Sequence, residues 1–187
     1  MGDVHHPRRG SLQYWPRARS RKHAARVRAW ATTKDAKVLG FVGYKVGMTH
    51  LLVKDSNPNS PRKNMDVFTP VTVLECPPLK VLSVRYYRCN DDGYASLIAE
   101  VFSKKAGKEL KRKTGFTSKE TAPPSEFDSI KVVVYTQPRE TGIGKKKPDV
   151  VELGVGGKDL NGKAQFALTL LDKEIRDNRY HNQKPTL

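Results

Sequence analysis

Short apolar stretches rich in β-branched residues recur along the chain at 38–42, 49–53, 71–75, 81–87, 95–102, 130–136 and 150–155. Each is short and bounded by turn-forming residues, which predicts β-strands. The punctuation is Asn57-Pro58-Asn59-Ser60-Pro61, Pro77-Pro78, Asn90-Asp91-Asp92-Gly93 and Pro123-Pro124-Ser125. The Asn-Asp-Asp-Gly run predicts a hairpin joining 81–88 to 95–102. One segment follows the helical period: Ala164, Ala167, Leu168, Leu171 and Ile175 share a face, predicting a core-packing helix over 163–176 with Asn161 as its N-cap. Residues 1–37 show neither period and are interrupted by Pro7, Gly10 and Pro16. They predict an extended arm, unfolded alone in water, although 24–31 can form two marginal helical turns. No internal repeat occurs, and the fold class is mostly β with some α.

Charge sharpens this division. The 187 residues carry 35 Lys+Arg against 19 Asp+Glu, a net charge of +16. Residues 1–37 hold ten basic and two acidic groups, residues 104–113 hold six and one, and Lys145, Lys146 and Lys147 add three more. These segments account for the whole excess, so the remainder is electrically balanced. A neutral body with cationic appendages is suited to gripping an acidic polymer; solvated charged faces are the plainer explanation. Only 37% of residues are hydrophobic, so part of the chain is expected to need a partner for order.

Other chemistries find little support. Cys76 and Cys89 form no disulfide framework and no zinc motif, which points to a reducing, cytosolic setting. No apolar segment approaches the length of a signal peptide core or a membrane span, so a soluble protein is expected. Gly154-Val155-Gly156-Gly157 and Thr141-Gly142-Ile143-Gly144-Lys145 lack the spacing of phosphate-binding loops and read as structural turns. His5, His6 and His23 lie among arginines that would repel a metal ion. No nucleophile elbow or acid–base pair is visible. No catalytic residue, cofactor, metal or small-molecule substrate is therefore expected.

Nucleic-acid binding has a positive case. The guanidinium groups of Arg8, Arg9, Arg17, Arg19, Arg21, Arg26 and Arg28, with Lys22, can take phosphate oxygens. Tyr14, Trp15 and Trp30 offer rings for stacking exposed bases. Both tryptophans lie in the arm, and two destinations stay open for them: RNA, or the body's own core. Lys104, Lys105, Lys111, Arg112, Lys113 and Lys145 to Lys147 are secondary anchors. Phosphate contacts alone do not distinguish RNA from DNA.

Several separated runs, in order, resemble one family. They are Pro7-Arg8-Arg9-Gly10-Ser11-Leu12, Pro16-Arg17-Ala18-Arg19-Ser20, Gly40-Phe41-Val42-Gly43-Tyr44-Lys45-Val46-Gly47-Met48-Thr49-His50, Pro70-Val71-Thr72-Val73-Leu74-Glu75 with Pro77-Pro78, Thr136-Gln137-Pro138-Arg139, and 145–152. The likeness, over about residues 7–176, is to large-subunit ribosomal protein L-three of the archaeal/eukaryotic type. It implies a translation-protein-type β-barrel, incomplete here, with an α+β insertion. The arm would be 1–37, the barrel strands 38–102, the insertion 103–176, and 177–187 an atypical tail. It also implies a non-catalytic, ribosome-bound role in the cytoplasm. The chain would bind and help fold large-subunit rRNA during assembly near the peptidyl-transferase region, beside neighbouring ribosomal proteins and away from any membrane. Tyr44, Lys45 and His50 would face RNA, with Gly40, Gly43 and Gly47 at turns or close approaches; ordinary barrel packing is the alternative for these. Family members continue with further barrel strands and a basic internal loop, which 177–187 do not resemble. Two rival functions remain at this level: a free architectural DNA- or RNA-binding protein, and a β-barrel RNA-processing enzyme.

Overall fold

The computed structural model describes residues 7–16, 18, 20, 21, 24–104, 107–114 and 122–176. Its strands fall into two sheets. Strands β1 (Tyr44–Lys54) and β2 (Asp66–Glu75) form a two-stranded antiparallel ribbon. The other five are β3 (Leu79–Cys89), β4 (Ala95–Phe102), β5 (Ser129–Tyr135), β6 (Val150–Gly154) and the short β7 (Glu174–Ile175). They pair antiparallel in the order β4-β3-β5-β6, with β7 also on β3. Helix α1 is Lys108–Thr114 and α2 is Leu160–Leu170. The fold is thus mostly β.

The expected hairpin joins β3 to β4. Gly93 takes φ +78°, a conformation glycine adopts without penalty, and its N–H donates to the Asn90 carbonyl at 2.8 Å. One face of the larger sheet carries the main core: Leu79, Val81, Val84, Tyr86, Ile130, Val132, Val134 and Leu153, joined by Val155 and by Ala167 of α2. A bulge between Val81 and Ser83 inserts one residue, so 79 and 81 face the core and then 84 and 86 do. Strict alternation fails there for that reason. A smaller cluster of Leu82, Leu110, Val133 and Tyr135 lies on the opposite face. Further along that face Arg85 Nε donates to Glu100 at 2.9 Å and Arg85 also lies 3.7 Å from Glu152. Lys131 reaches Glu152 at 3.5 Å, and the Tyr87 hydroxyl donates to Glu152. Two basic and two acidic groups neutralise each other in this ladder.

Some expectations need correcting. Residues 38–42 are not a strand; only Val38 makes an isolated bridge, to Val155. Residues 24–31 form no helix, in line with the weak nucleation of so short a segment. Helix α2 starts earlier, with Asp159 rather than Asn161 as N-cap, and stops at Leu170. Asp172 takes φ +66°, and the chain then turns into β7, where Ile175 pairs with Leu79. Ile175 therefore reaches the core from a strand. Helix α1 has a single buried apolar residue, Leu110, so no periodic pattern could reveal it. β3 pairs with both β4 and β5, and the step from the ribbon to the larger sheet falls at 76–78. Of the ribbon, Met48, Leu51, Leu52, Phe68 and Leu74 are exposed.

Candidate nucleic-acid interface

The described arm residues from 7 to 29 are exposed. A 3-10 turn over Leu12–Tyr14 is capped by the Ser11 hydroxyl, which accepts from the Gln13 N–H at 3.2 Å. Just beyond it Trp15 is 61% exposed and Tyr14 77%. The Arg8 guanidinium stands 5.4 Å from the Trp15 ring centroid and donates to the carbonyls of Arg9 and Gly10. Arg8 and Trp15 thus form one cation–π unit, with the ring still open to solvent. Arg9, Arg21, Arg26 and Arg28 are exposed. Arg17, Arg19, Lys22 and Lys105 lie outside the described residues.

Trp30 has the other destination. It packs on the main core, against the backbone of Gly154 and beside Gly40. Its indole N–H is buried without an acceptor, and the ring takes the core destination of the two that the sequence left open. The chain then follows the end of β6. The Leu39 N–H donates to the Gly154 carbonyl at 2.9 Å, and the Gly156 N–H to the Lys37 carbonyl at 2.7 Å.

The opposite end of β6 gathers a second basic region from distant segments. Leu110 anchors α1 under β3 and β5, and the Gly107 N–H donates to the Tyr135 hydroxyl at 3.2 Å. Glu109 lies in the first turn of α1 and Lys111, Arg112 and Lys113 in the last, an order that suits the helix dipole. Arg139, which sequence reasoning did not single out, lies 3.6 Å from Glu109 with its side chain 86% exposed. It joins α1 to the loop bearing exposed Lys146 and Lys147. The only hint of it was the Thr136–Arg139 run. Exposed Lys104 follows β4 at this same end of the sheet.

Tyr44 and Lys145 meet here, but inwardly. The Tyr44 hydroxyl donates to Asp149 Oδ2 at 2.9 Å and lies 2.6 Å from the Thr136 hydroxyl. Lys145 pairs with the same carboxylate and stands 5.6 Å from the Tyr44 ring centroid. The cluster ties the foot of β1 to the large sheet. Lys45 and His50 are exposed on the ribbon, with the His50 ring 5.4 Å from that of Phe68. Gly43 makes a close approach, since a Cβ there would sit 2.7 Å from Cys76 Sγ; Gly47 has no such neighbour.

Burial pushes the Tyr44 hydroxyl up to about 12, helped by Asp149 and opposed by Thr136. Tyr87 is also raised to about 12, by burial and by Glu152. Burial works to raise the Asp149 carboxyl, but hydrogen bonds from Lys145 and Tyr44, with the charges of Lys145 and Lys113, hold it below its ordinary value. Both tyrosines keep their protons more tightly when folded. Their contribution is therefore complete below pH 10 and is lost as pH rises from 10 through 12. That of Asp149 is present above its ordinary 3.8 and is lost as pH falls below it. A phenolate absorbance titration should show two tyrosines ionising near 12, and Asp149→Asn should bring Tyr44 down alone. Simultaneous ionisation of all tyrosines near 10 would contradict this geometry.

Among the described residues no three His, Cys, Asp or Glu side chains converge as metal ligands, and no helix is long and apolar enough to cross a membrane. The architecture defines a mostly β protein with two basic regions: the arm, whose described residues before Trp30 face solvent, and the patch of Lys111, Arg112, Lys113, Arg139, Lys146 and Lys147. The family model for ribosomal protein L3 matches residues 1–125. The large ribosomal subunit protein uL3 of Methanobrevibacter smithii is 40% identical over 96% of this chain and 56% of its own length. That of Methanococcus vannielii is 41% identical over 92% and 54%, and that of Methanocaldococcus jannaschii 35% over 92% and 54%. The chain belongs to the ribosomal protein L3 family. It spans about half the length of the curated relatives it matches.

Proposed function

We propose that this protein is a structural, non-catalytic component of the large ribosomal subunit. It binds large-subunit rRNA and helps fold it during assembly, beside neighbouring ribosomal proteins in the cytoplasm. The observation that carries the reading is the separation of charge: the excess is confined to an arm whose described residues before Trp30 are exposed and to two segments whose described residues lie at one end of the sheet, while the body is neutral. Arg8, Arg9, Arg17, Arg19, Arg21, Lys22, Arg26 and Arg28 contact phosphates along the arm, and Trp15 and Tyr14 stack on bases. Lys104, Lys105, Lys111, Arg112, Lys113, Lys146 and Lys147, joined by Arg139, form the second anchor; Lys45 and His50 add contacts from the ribbon. Tyr44 and Lys145 serve the internal cluster. The β1–β2 ribbon is this chain's share of the family's barrel, and β3 to β7 with the two helices form its α+β portion; this division is favoured by the separate sheets.

The deciding experiment is sedimentation at physiological salt. The chain is expected to travel with large ribosomal subunits and to stay with them through a gradient. Recovery wholly in the free protein fraction would overturn the reading, and equal affinity for random duplex DNA and rRNA fragments would favour a free architectural protein instead.

A further inference from the structure

We infer that Gly154-Val155-Gly156-Gly157 is a seat that fixes the exit direction of the arm, with Trp30 as its positioning residue. This deepens the proposed function and rests on the reading that the arm binds RNA. The geometry is specific. A Cβ on Gly154 would stand 2.5, 2.6 and 2.8 Å from three atoms of the Trp30 indole, and a Cβ on Gly40 would stand 3.5 Å from the other part of the ring. A Cβ on Gly156 would stand 2.1 Å from Thr33 Oγ1 and 3.1 Å from Leu39 Cδ2. Gly157, at φ +140°, brings its backbone near Ala36 and Lys163. Backbone hydrogen bonds at Lys37 and Leu39 and the Val38–Val155 bridge complete the joint. Bare backbone at these glycines is what lets the root of the arm lie this close.

The consequence concerns the arm. Arg26 and Arg28 are exposed immediately before Trp30, so the fixed segment begins just after the arginine-rich part of the arm. An anchored root restricts the orientations of that stretch before any contact with RNA. If the seat is broken, only a fraction of molecules present the arm correctly, and apparent affinity falls by that fraction. No phosphate contact is removed, so the salt dependence should not change.

The test uses the full chain and a large-subunit rRNA fragment. Neither Gly154 nor Gly156 has positive φ, so alanine at 154 is acceptable to the backbone and acts through the indole clash. Gly154→Ala should shift Trp30 fluorescence to the red and expose it to iodide quenching, scored in a Trp15→Phe background. In the otherwise unaltered chain Gly154→Ala should weaken rRNA binding about tenfold, with the slope of log Kd against log salt unchanged. Trp30→Ala removes the plug without a clash and should weaken binding equally; the double variant should lose no more than either single one. Trp30→Ala decides the matter if Gly154→Ala does not fold. Unchanged affinity despite exposed Trp30, a flattened salt slope, or additive losses would overturn the seat. An absence of salt-dependent RNA binding by the unaltered chain would overturn the RNA reading and the seat's role with it. Fluorescence alone would still report whether the joint exists.

Discussion

Replacing Arg8, Arg9, Arg17, Arg19, Arg21, Lys22, Arg26 and Arg28 with alanine is expected to abolish tight rRNA binding while leaving the melting of the body unchanged. A polyanion holds condensed counterions, and each phosphate that a cation neutralises releases them. Six to ten such contacts make the intact chain lose roughly 10³–10⁵ in affinity between 50 and 200 mM salt. At about 0.7–0.9 per contact, eight substitutions should flatten the slope of log Kd against log salt by about 6–7. The measurement is filter binding at several salt concentrations. The patch at α1 and the 139–147 loop should leave a shallow residual slope. A slope in the variant equal to that of the intact chain would remove the arm from the interface. The described arm residues before Trp30 are exposed, which is why no folding penalty is expected.

The largest effect on the body should come from Leu79→Ala. Leu79 is fully buried in the main core, at the first position of β3, and pairs with Ile175 of β7. Truncating a buried leucine costs about 2–5 kcal/mol, the sum of lost burial and the cavity left behind. Against a typical stability of about 5–15 kcal/mol this is a large share. With a urea dependence of about 1–3 kcal/mol/M the midpoint should fall by at least about 0.7 M. Leu97→Ala, on a half-exposed position of β4, serves as the control and should cost far less. The short β7 should also loosen, making residues near Asp172 more open to protease. A midpoint shift for Leu79→Ala no larger than for Leu97→Ala would mean that the core has been misplaced.

What could be read from the sequence follows from what each element needs. Strands β3 and β5 were legible because their β-branched residues lie at the buried centre of the sheet, and β4 because a hairpin turn ties it to β3. Segment 38–42 has the same composition but runs past the end of β6 as a connector, a fact that only long-range pairing can supply. The extended helix over 163–176 failed because Leu171 and Ile175 keep helical spacing although the backbone reverses at Asp172. α1 stayed hidden behind one apolar residue. Among candidate site residues, the arm's charge was plain from counting. The fate of Trp30, the inward turn of Tyr44 and Lys145, and the recruitment of Arg139 depend on partners that are remote in sequence: Gly154, Asp149 and Glu109.

The ladder of Arg85, Glu100, Lys131 and Glu152 has a consequence for encounter with RNA. A face whose ions cancel gives a distant polyphosphate nothing to pull on, whereas the two basic regions associated with opposite ends of β6 do. Long-range fields therefore exert a torque as well as an attraction. The tumbling molecule should be turned toward its target before contact, so fewer collisions are wasted on the wrong side.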